Sequence, residues 1–424
     1  MARFLYTLIY YLILPLILAR LYWRGRAAPA YRLRWRERLG WFKAPAFAQR
    51  PLWVHSVSVG ETVAAALLVN RLLKEHPERP IVVTTMTPTG SERVKALFGD
   101  RVFHVYAPYD LPGPIMRFLR RLNPCALIIM ETELWPNWIA LCAAQGVPSM
   151  VANARLSERS AKGYGKVSAI TRPMLQKLSW VAAQNAVDGG RFVALGLPQE
   201  RLSVTGSIKF DISVSEELRA QSLALRDAWG GPKRFVWVAG STHEGEDAVI
   251  LAAHQQLLAY RPDALLVIVP RHPERFDKVG EDILRAGLRM VRRSSNATVT
   301  PETQVLLGDT MGELLRFYAA ADLAFVGGSL VDTGGHNPLE PAAVGKPVLM
   351  GPAVFNFADI CAQLEQAQGL RFVERGTLGD VLLALCDDDA ARLRMGEAAS
   401  KVVNDNRGAL DRLLEGVLQQ APQR

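Results

Sequence analysis

The sequence lacks the motifs of several large classes of protein. Four scattered cysteines, none in a CxxC pair, predict buried thiols in a reducing compartment and no disulfide framework. There is no GxxxxGK[ST] loop and no GxGxxG followed by a ribose-binding acid, so neither P-loop hydrolysis nor a dinucleotide cofactor is indicated. His243, His272 and His336 have no HxxxH or HxH spacing, and we expect no metal.

Most of the chain also lacks an excess of charge. The formal net charge is +9, but residues 1–43 hold nine basic residues and one acidic residue, which leaves +1 for the remaining 381 residues. A nucleic-acid-binding protein is expected to spread basic residues over its folded domains. We therefore expect no nucleic-acid partner.

The N-terminal region is apolar and then strongly basic. Residues 4–19 carry no charge, and Phe4–Trp23 as a helix would span about 30 Å, enough for a bilayer core. The arginines that follow predict a cytoplasmic flank by the positive-inside rule. A cleaved signal peptide would place small residues there, and an interfacial helix would show a polar face, which is not evident. Residues 1–23 are predicted to be a single-pass membrane anchor.

The remaining chain alternates short apolar strands with helices, which is typical of parallel sheets covered on both faces. The sequence thus predicts an α/β protein with two doubly wound domains. After a basic juxtamembrane segment (24–50), we place the first domain at 51–212, a polar linker at 213–232, and the second domain with C-terminal helices at 233–424. In such sheets, ligands bind beyond the carboxyl ends of the strands.

Three charged residues follow strands of the first domain. Glu61 opens a helix after the strand at 52–58, where it is either a general base or a carboxylate favoured by the helix dipole. Glu131 comes directly after the apolar strand at 126–130 and is either a cleft residue or a solvated loop acid. Lys209 either meets an anion or pairs with Asp211.

Four polar, glycine-rich loops follow strands of the second domain, at 240–246, 270–273, 309–313 and 327–340. In the last of these, Asn337 suits a helix N-cap, Pro338 the first helical position, and Glu340 a capping box. Glycines allow close approach of a backbone to a ligand, and a helix N-terminus favours an anion. The loops indicate a nucleotide pocket, although a well-capped connection without a ligand gives the same local pattern.

Taken together, these motifs resemble the 3-deoxy-D-manno-octulosonic acid (Kdo) transferases of lipopolysaccharide assembly. The resemblance covers nearly the whole chain, the anchor included. The matching segments are Ser58–Glu61, Glu131–Asn137, Gly206–Lys209, Gly240–Glu246, Pro270–Pro273, Met311–Glu313 and Gly334–Pro341.

The resemblance implies a GT-B glycosyltransferase with two Rossmann-like domains facing a cleft, which transfers Kdo from CMP-Kdo to a lipid A precursor (lipid IVA) with inversion and without a metal or cofactor. It makes Glu61 the general base and Glu131 and Lys209 transition-state stabilisers. The residues that it assigns to CMP binding are Pro270, Arg271, Met311, Gly312, Glu313, Asn337, Pro338, Leu339 and Glu340.

The expected partners are therefore CMP-Kdo, the lipid A precursor and an inner-membrane surface with anionic lipid. Two alternatives share part of the pattern. One is a membrane-associated GT-B transferase that uses a different nucleotide sugar, and the other is a non-catalytic nucleotide-binding scaffold on the membrane.

Overall fold

A computed structural model of the protein describes residues 1–26 and 28–421. The chain forms two compact units: one comprises Met1–Lys209 and the chain from Arg407 onward, and the other comprises Phe210–Asn406. Residue 27 of the predicted basic segment and residues 422–424 of the predicted second domain lie outside the described residues.

The first unit contains a seven-stranded, wholly parallel sheet in the order β3-β2-β1-β4-β5-β6-β7. Its central strands β1 and β4 are fully buried, as expected for a sheet covered on both faces. The strands are β1 (Leu52–His55), β2 (Ile81–Thr85), β3 (Phe103–Tyr106), β4 (Ala126–Met130), β5 (Ser149–Ala154), β6 (Trp180–Ala183) and β7 (Leu202–Val204). The helices are α1 (Ala2–Arg24), α2 (Val59–Glu75), α3 (Pro88–Phe98), α4 (Pro112–Leu122), α5 (Pro136–Ala144), α6 (Glu158–Lys166), α7 (Ser168–Leu175) and α8 (Ala186–Ala194).

By length and composition, α1 is the one helix among the described residues that is apolar enough to cross a membrane. None of its residues is fully buried, which fits a membrane anchor. Part of the predicted basic juxtamembrane segment packs on the first unit. Arg34 hydrogen-bonds Glu37 and His104, and Arg38 is buried with its guanidinium donating to the Met86 carbonyl. These two arginines of the predicted basic segment therefore belong to the folded unit.

The second unit repeats the architecture, with a parallel sheet in the order β10-β11-β9-β8-β12-β13-β14. Its strands are β8 (Val236–Thr242), β9 (Leu265–Pro270), β10 (Met290–Arg292), β11 (Val305–Leu307), β12 (Leu323–Val326), β13 (Val348–Met350) and β14 (Leu370–Phe372). Its helices are α9 (Glu216–Ala228), α10 (Asp247–Tyr260), α11 (Phe276–Arg285), α12 (Leu314–Ala320), α13 (Leu339–Ala343), α14 (Ala358–Gln366), α15 (Leu378–Asp387) and α16 (Asp389–Asp405). The predicted α/β class with two doubly wound domains is confirmed.

The predicted linker at 213–232 is largely helical. It contains α9, which packs against α12 in the second unit, and Trp229 after it is buried against Phe317. The polar composition of α9 reflects one solvated face, and its other face packs against α12. The boundary between the units therefore falls near residue 210 rather than within 213–232.

The last helix, α17 (Ala409–Gln420), belongs to the first unit, although the sequence assigned it to the second domain. Leu410, Leu413, Leu414 and Val417 enter the core beneath α2, and Arg412 donates to the carbonyl of Thr205. An apolar stripe predicts that a helix packs, but it does not tell which of two similar sheets it covers.

Candidate active site

Glu61 and Glu131 emerge at the same edge of the first sheet. Strands β1 and β4 are parallel neighbours, with His55 opposite Ile129 at their carboxyl ends. Glu61 lies in the first turn of α2, which follows β1, and Glu131 is the residue after β4. The sheet register therefore brings together two carboxylates that are 70 positions apart in the sequence.

Glu61 is held by local contacts at the start of α2. Ser58 is the N-cap, and its hydroxyl oxygen accepts from the Glu61 backbone N–H at 3.3 Å. The Glu61 carboxylate accepts from the Val57 N–H at 2.7 Å and from the Ser58 hydroxyl at 3.0 Å. This reciprocal arrangement is a variant of the capping box, which the S-x-x-E spacing of Ser58 and Glu61 signals in the sequence.

The electrostatic environment makes Glu61 a good proton acceptor near neutral pH. Burial disfavours the charged form and raises the pKa of Glu61 to about 7, and the negative charge of Glu131 acts in the same direction. The hydrogen bonds from Val57 and Ser58 oppose this shift only in part. A carboxylate with such a pKa is suited to general-base catalysis.

Lys209 reaches Glu131 from the far edge of the sheet. It lies in the short 3-10 turn Ile208–Phe210 after β7, and its Nζ is 3.8 Å from Glu131 Oε1. Glu131 has a left-handed backbone, with φ of 58°, and its N–H donates to the Ala152 carbonyl. The structure thus joins the predicted Glu131 and Lys209 in one ion pair.

Asn153 is a further polar residue near the carboxyl end of β5, and the sequence analysis did not single it out. It is buried near the end of β5 with φ of 53°, and its Oδ1 accepts from the Ile208 N–H at 3.2 Å. Its Nδ2 has no hydrogen-bond partner among the described residues. Asparagine is enriched at positive φ, but within a strand-like run this signal cannot be separated from an ordinary strand position.

The four polar loops of the second unit follow neighbouring strands. The order β11-β9-β8-β12 is contiguous, and all of these pairs are parallel, so the loops after them lie along one sheet edge. The Arg271 N–H donates to the Thr242 carbonyl, which ties the loop after β9 to that after β8. The predicted convergence of the loops is confirmed by the strand order.

Among the predicted CMP-binding residues, Pro270 ends β9 and Arg271 follows it, exposed. Asn337 Oδ1 accepts from the Leu339 N–H at 3.1 Å, and its Nδ2 lies 3.4 Å from Glu340 Oε1. The predicted cap is nevertheless displaced by one residue, because Pro338 and not Asn337 is the N-cap of α13, which begins at Leu339 and has only five residues. Burial raises the pKa of Glu340, and the hydrogen bond from Asn337 and the charge of Arg271 oppose the shift.

Met311–Glu313 lie in the turn after β11. Met311 is exposed, and Gly312 has φ of 83°, a conformation that favours glycine. The Glu313 carboxylate forms ion pairs with Arg293, at 3.0 Å, and with Arg316. These ion pairs hold the turn in place next to the start of α12.

Glu246 is a second residue whose role the sequence did not reveal. Its carboxylate is fully buried and accepts backbone hydrogen bonds from His243 at 2.8 Å, Gly328 at 2.7 Å, Ser329 at 3.1 Å and Leu330 at 2.9 Å. Charge-assisted hydrogen bonds of this kind are the strong ones. Glu246, in the loop after β8, therefore holds the glycine loop after β12 (residues 327–340) in place through hydrogen bonds to its backbone.

Two of the three histidines from these loops contact each other. The His243 and His336 rings are nearly parallel, with centroids 5.0 Å and Nε2 atoms 2.7 Å apart, and the His272 ring centroid lies 5.5 Å from that of His243. Burial lowers the pKa of both His243 and His336, to about 4 for His336, so one neutral ring donates to the other. No group of three or more His, Cys, Asp or Glu in residues 1–26 and 28–421 is arranged to hold a metal.

Two doubly wound units, each with polar residues at the carboxyl edge of its sheet, define the GT-B class of glycosyltransferases and related enzymes. The UDP-GlcNAc 2-epimerase of Neisseria meningitidis shares the fold, with a TM-score of 0.56 at 14% identity over 87% of this chain and 99% of the epimerase.

Sequence comparison identifies the family. Residues 33–212 match the model of the 3-deoxy-D-manno-octulosonic-acid transferase (kdotransferase) family. The chain is 45% identical to the 3-deoxy-D-manno-octulosonic acid transferase of Haemophilus influenzae over 98% of both proteins, and 38% identical to that of Bordetella pertussis over 98% of this chain and 99% of the relative. The chain belongs to the Kdo transferase family of glycosyltransferases.

Proposed function

We propose that the chain transfers Kdo from CMP-Kdo to a lipid A precursor, lipid IVA, with inversion at the anomeric carbon and without a metal. Membership of the Kdo transferase family supports the donor sugar and the role in lipopolysaccharide assembly. The observation that supports the chemistry most directly is Glu61, a carboxylate at the edge of the first sheet with a pKa of about 7.

In this mechanism, Glu61 removes the proton from the acceptor hydroxyl as that oxygen attacks the anomeric carbon of Kdo. A base is most effective when its pKa is near the working pH, and a positioned general base typically contributes about 10²–10⁴ in rate. The contacts with Val57 and Ser58 fix the carboxylate before substrate binds, so little reorganisation is needed.

Lys209 supplies positive charge at the same edge of the sheet. Its ion pair with Glu131 holds the ammonium near the strand ends. There it offsets negative charge on the Kdo carboxylate or on the departing phosphate, and Glu131 acts by orienting it.

The second unit takes CMP-Kdo. Arg271 carries the positive charge for the phosphate, and Glu340 accepts hydrogen bonds from the ribose hydroxyls. Pro270, Met311–Glu313 and Asn337–Leu339 complete the nucleotide contacts. The glycine loop after β12, which Glu246 braces, allows the backbone to approach the donor closely.

The helix α1 holds the enzyme at the cytoplasmic face of the inner membrane, where the lipid acceptor resides. The arginines in and after α1, including the exposed Arg20, Arg26, Arg32 and Arg36, attract anionic lipid at about 1 kcal/mol per residue near the surface. The helix α1 is long enough for a single pass across a bilayer. Whether it makes that pass depends on the contacts between its first half and the first unit.

The test is the product mass. The purified protein is incubated with CMP-Kdo, generated in situ, and a tetraacylated lipid A precursor, with and without EDTA. We expect a mass increase of one or more Kdo units under both conditions and a much slower increase with Glu61→Gln. An unchanged acceptor mass with the wild-type protein would contradict the proposal, and loss of product in EDTA alone would contradict its metal independence.

Thermal protection tests the nucleotide. We expect CMP to raise the melting temperature more than UMP, because the donor is a CMP-sugar. Equal protection by both nucleotides would argue for another donor, as in the alternative GT-B transferase.

A further inference from the structure

The first half of α1 is bound to the first unit by polar contacts. Thr7 Oγ1 lies 3.0 Å from the Nδ2 of Asn137, a buried residue at the start of α5. Residues Met1–Arg3 line a groove with apolar residues of α5 and α7, among them Ala140 and Ile170. The beginning of the helix therefore lies against the surface of the folded unit.

A buried carboxylate strengthens this attachment. Asp110 is 1% exposed and accepts from the backbone N–H groups of Asn137, at 3.1 Å, and Trp138, at 2.8 Å. The phenol groups of Tyr6 and Tyr10, on α1, also lie close enough to Asp110 to interact with it electrostatically. A buried carboxylate needs such partners, so detaching α1 would remove part of its compensation.

The other end of α1 leads back to the same unit. Arg32, in the 3-10 turn Pro29–Arg32, folds onto the helix and donates to the Tyr22 carbonyl at 3.1 Å. Arg34 lies only ten residues after the end of α1, and its guanidinium donates a hydrogen bond to the backbone carbonyl of His104, in β3 of the first sheet. If α1 crossed a bilayer with the unit on the cytoplasmic side, Thr7 would lie within or beyond the hydrocarbon and could not contact Asn137.

The faces of α1 differ in chemistry. At about 100° per residue, Arg3, Tyr6, Thr7, Tyr10 and Arg24 fall on one half of the helix. The opposite half is apolar and exposed, with Phe4 at 73%, Leu12 at 71% and Leu16 at 68%. The half that carries these polar residues faces the protein, and it also carries Leu14 and Ile17, so the sequence shows no continuous polar face.

We propose that α1 does not cross the membrane but lies in the plane of the cytoplasmic leaflet, with its polar side docked on Asp110 and Asn137 and its apolar side in the bilayer. The apolar side of α1 contacts an anionic lipid surface, because the exposed Arg20, Arg26 and Arg32 flank it and attract anionic headgroups. The inference rests on the proposed membrane location and deepens it, since both ends of α1 then lie on the cytoplasmic side.

The first test is a cross-link in the full chain. Thr7→Cys and Asn137→Cys are combined, and membranes carrying the protein are oxidised and digested for mass spectrometry. We expect the disulfide-linked peptide pair, because the two native side chains are in hydrogen-bond contact. A matched pair, Leu16→Cys with Asn137→Cys, should not link. Absence of the Thr7 link in folded, membrane-bound protein would overturn the proposal.

The second test is topology. The four native cysteines are buried, so Arg3→Cys gives one accessible thiol for a membrane-impermeant maleimide. We expect no labelling in intact spheroplasts in which a periplasmic marker protein is labelled. Labelling from the periplasmic side would establish a single pass and overturn the proposal. The substitution removes a positive charge, which favours export of this end and so works against the expected result.

A control separates this inference from the proposed function. Ala252→Cys, on the exposed side of α10, should react only in inside-out vesicles. If the protein were found in the soluble fraction, the membrane location itself would be wrong. If Kdo transfer failed while the cross-link formed, the enzymatic proposal would fall and the docking of α1 would stand.

Discussion

Replacing Glu246 tests whether one buried carboxylate holds the glycine loop. Glu246→Gln preserves shape but replaces one acceptor oxygen with an amide group that donates. Each carboxylate oxygen accepts two backbone N–H groups, so the less costly orientation of the glutamine leaves the donors of His243 and Gly328 unpaired. The loop should then lose its fixed position against the loop after β8.

The magnitude follows from those two donors. An unpaired buried N–H costs about 1–3 kcal/mol, so we expect a loss of roughly 2–4 kcal/mol, since the His243 donor is only partly buried. For a unit of this size, that corresponds to a melting temperature lower by roughly 5–15 °C. If binding of CMP requires the glycine loop to regain its fixed position, and this costs even 1.4 kcal/mol of the lost free energy, the affinity for CMP falls about tenfold.

The assay pairs thermal unfolding with calorimetric CMP titration. The matched control is Glu244→Gln, the same substitution two residues earlier, where the side chain is 76% exposed and pairs with Lys278. A surface pair contributes about 0–1 kcal/mol, so this variant should resemble the wild type. If Glu246→Gln unfolded and bound CMP like Glu244→Gln, the loop would not depend on this carboxylate.

Three further outcomes are expected. The transfer rate should rise as pH increases through about 7, because a general base works deprotonated and the pKa of Glu61 is raised to that value. Glu61→Gln should abolish this rise with pH and lower the transfer rate about 10²–10⁴-fold, while CMP still binds. Lys209→Met should lower kcat about 10²-fold with little change in CMP affinity, and an unchanged kcat would exclude its role. Leu413→Ala should cost about 2–5 kcal/mol and increase hydrogen exchange in α2, whereas Leu393→Ala, at an exposed position, should do neither.

Much of the fold was readable from local pattern. The strands at Ala126–Met130, Val305–Leu307 and Leu323–Val326 coincide with the predicted ones, because continuous apolar runs bounded by turns are typical of buried parallel strands. The placement of Glu61 and Glu131 after strands of the first sheet was predicted for the same reason. A parallel sheet places all its carboxyl ends at one edge, so knowing the strands predicts which loops converge.

The motifs alone also supported the family, which the comparisons then established. What remained open in the sequence was the partner of each charged residue. Lys209 had two possible roles in the local pattern, and the structure pairs it with Glu131, which follows a strand three places away in the sheet.

Only the tertiary structure decided the placement of the helices α17 and α1 and the role of Glu246. The apolar stripe of α17 fits either of two similar sheets, and the packing of Leu413 beneath α2 selects the first. Glu246 reads as one more acid in a polar loop until Gly328 and Leu330 are brought to it from 82 and 84 positions away. The hydropathy of α1 favours a membrane span, whereas its contact with Asn137, 130 positions away, favours docking. Periodicity and propensity are properties of neighbours along the chain, and these three assignments depend on contacts between segments far apart in it.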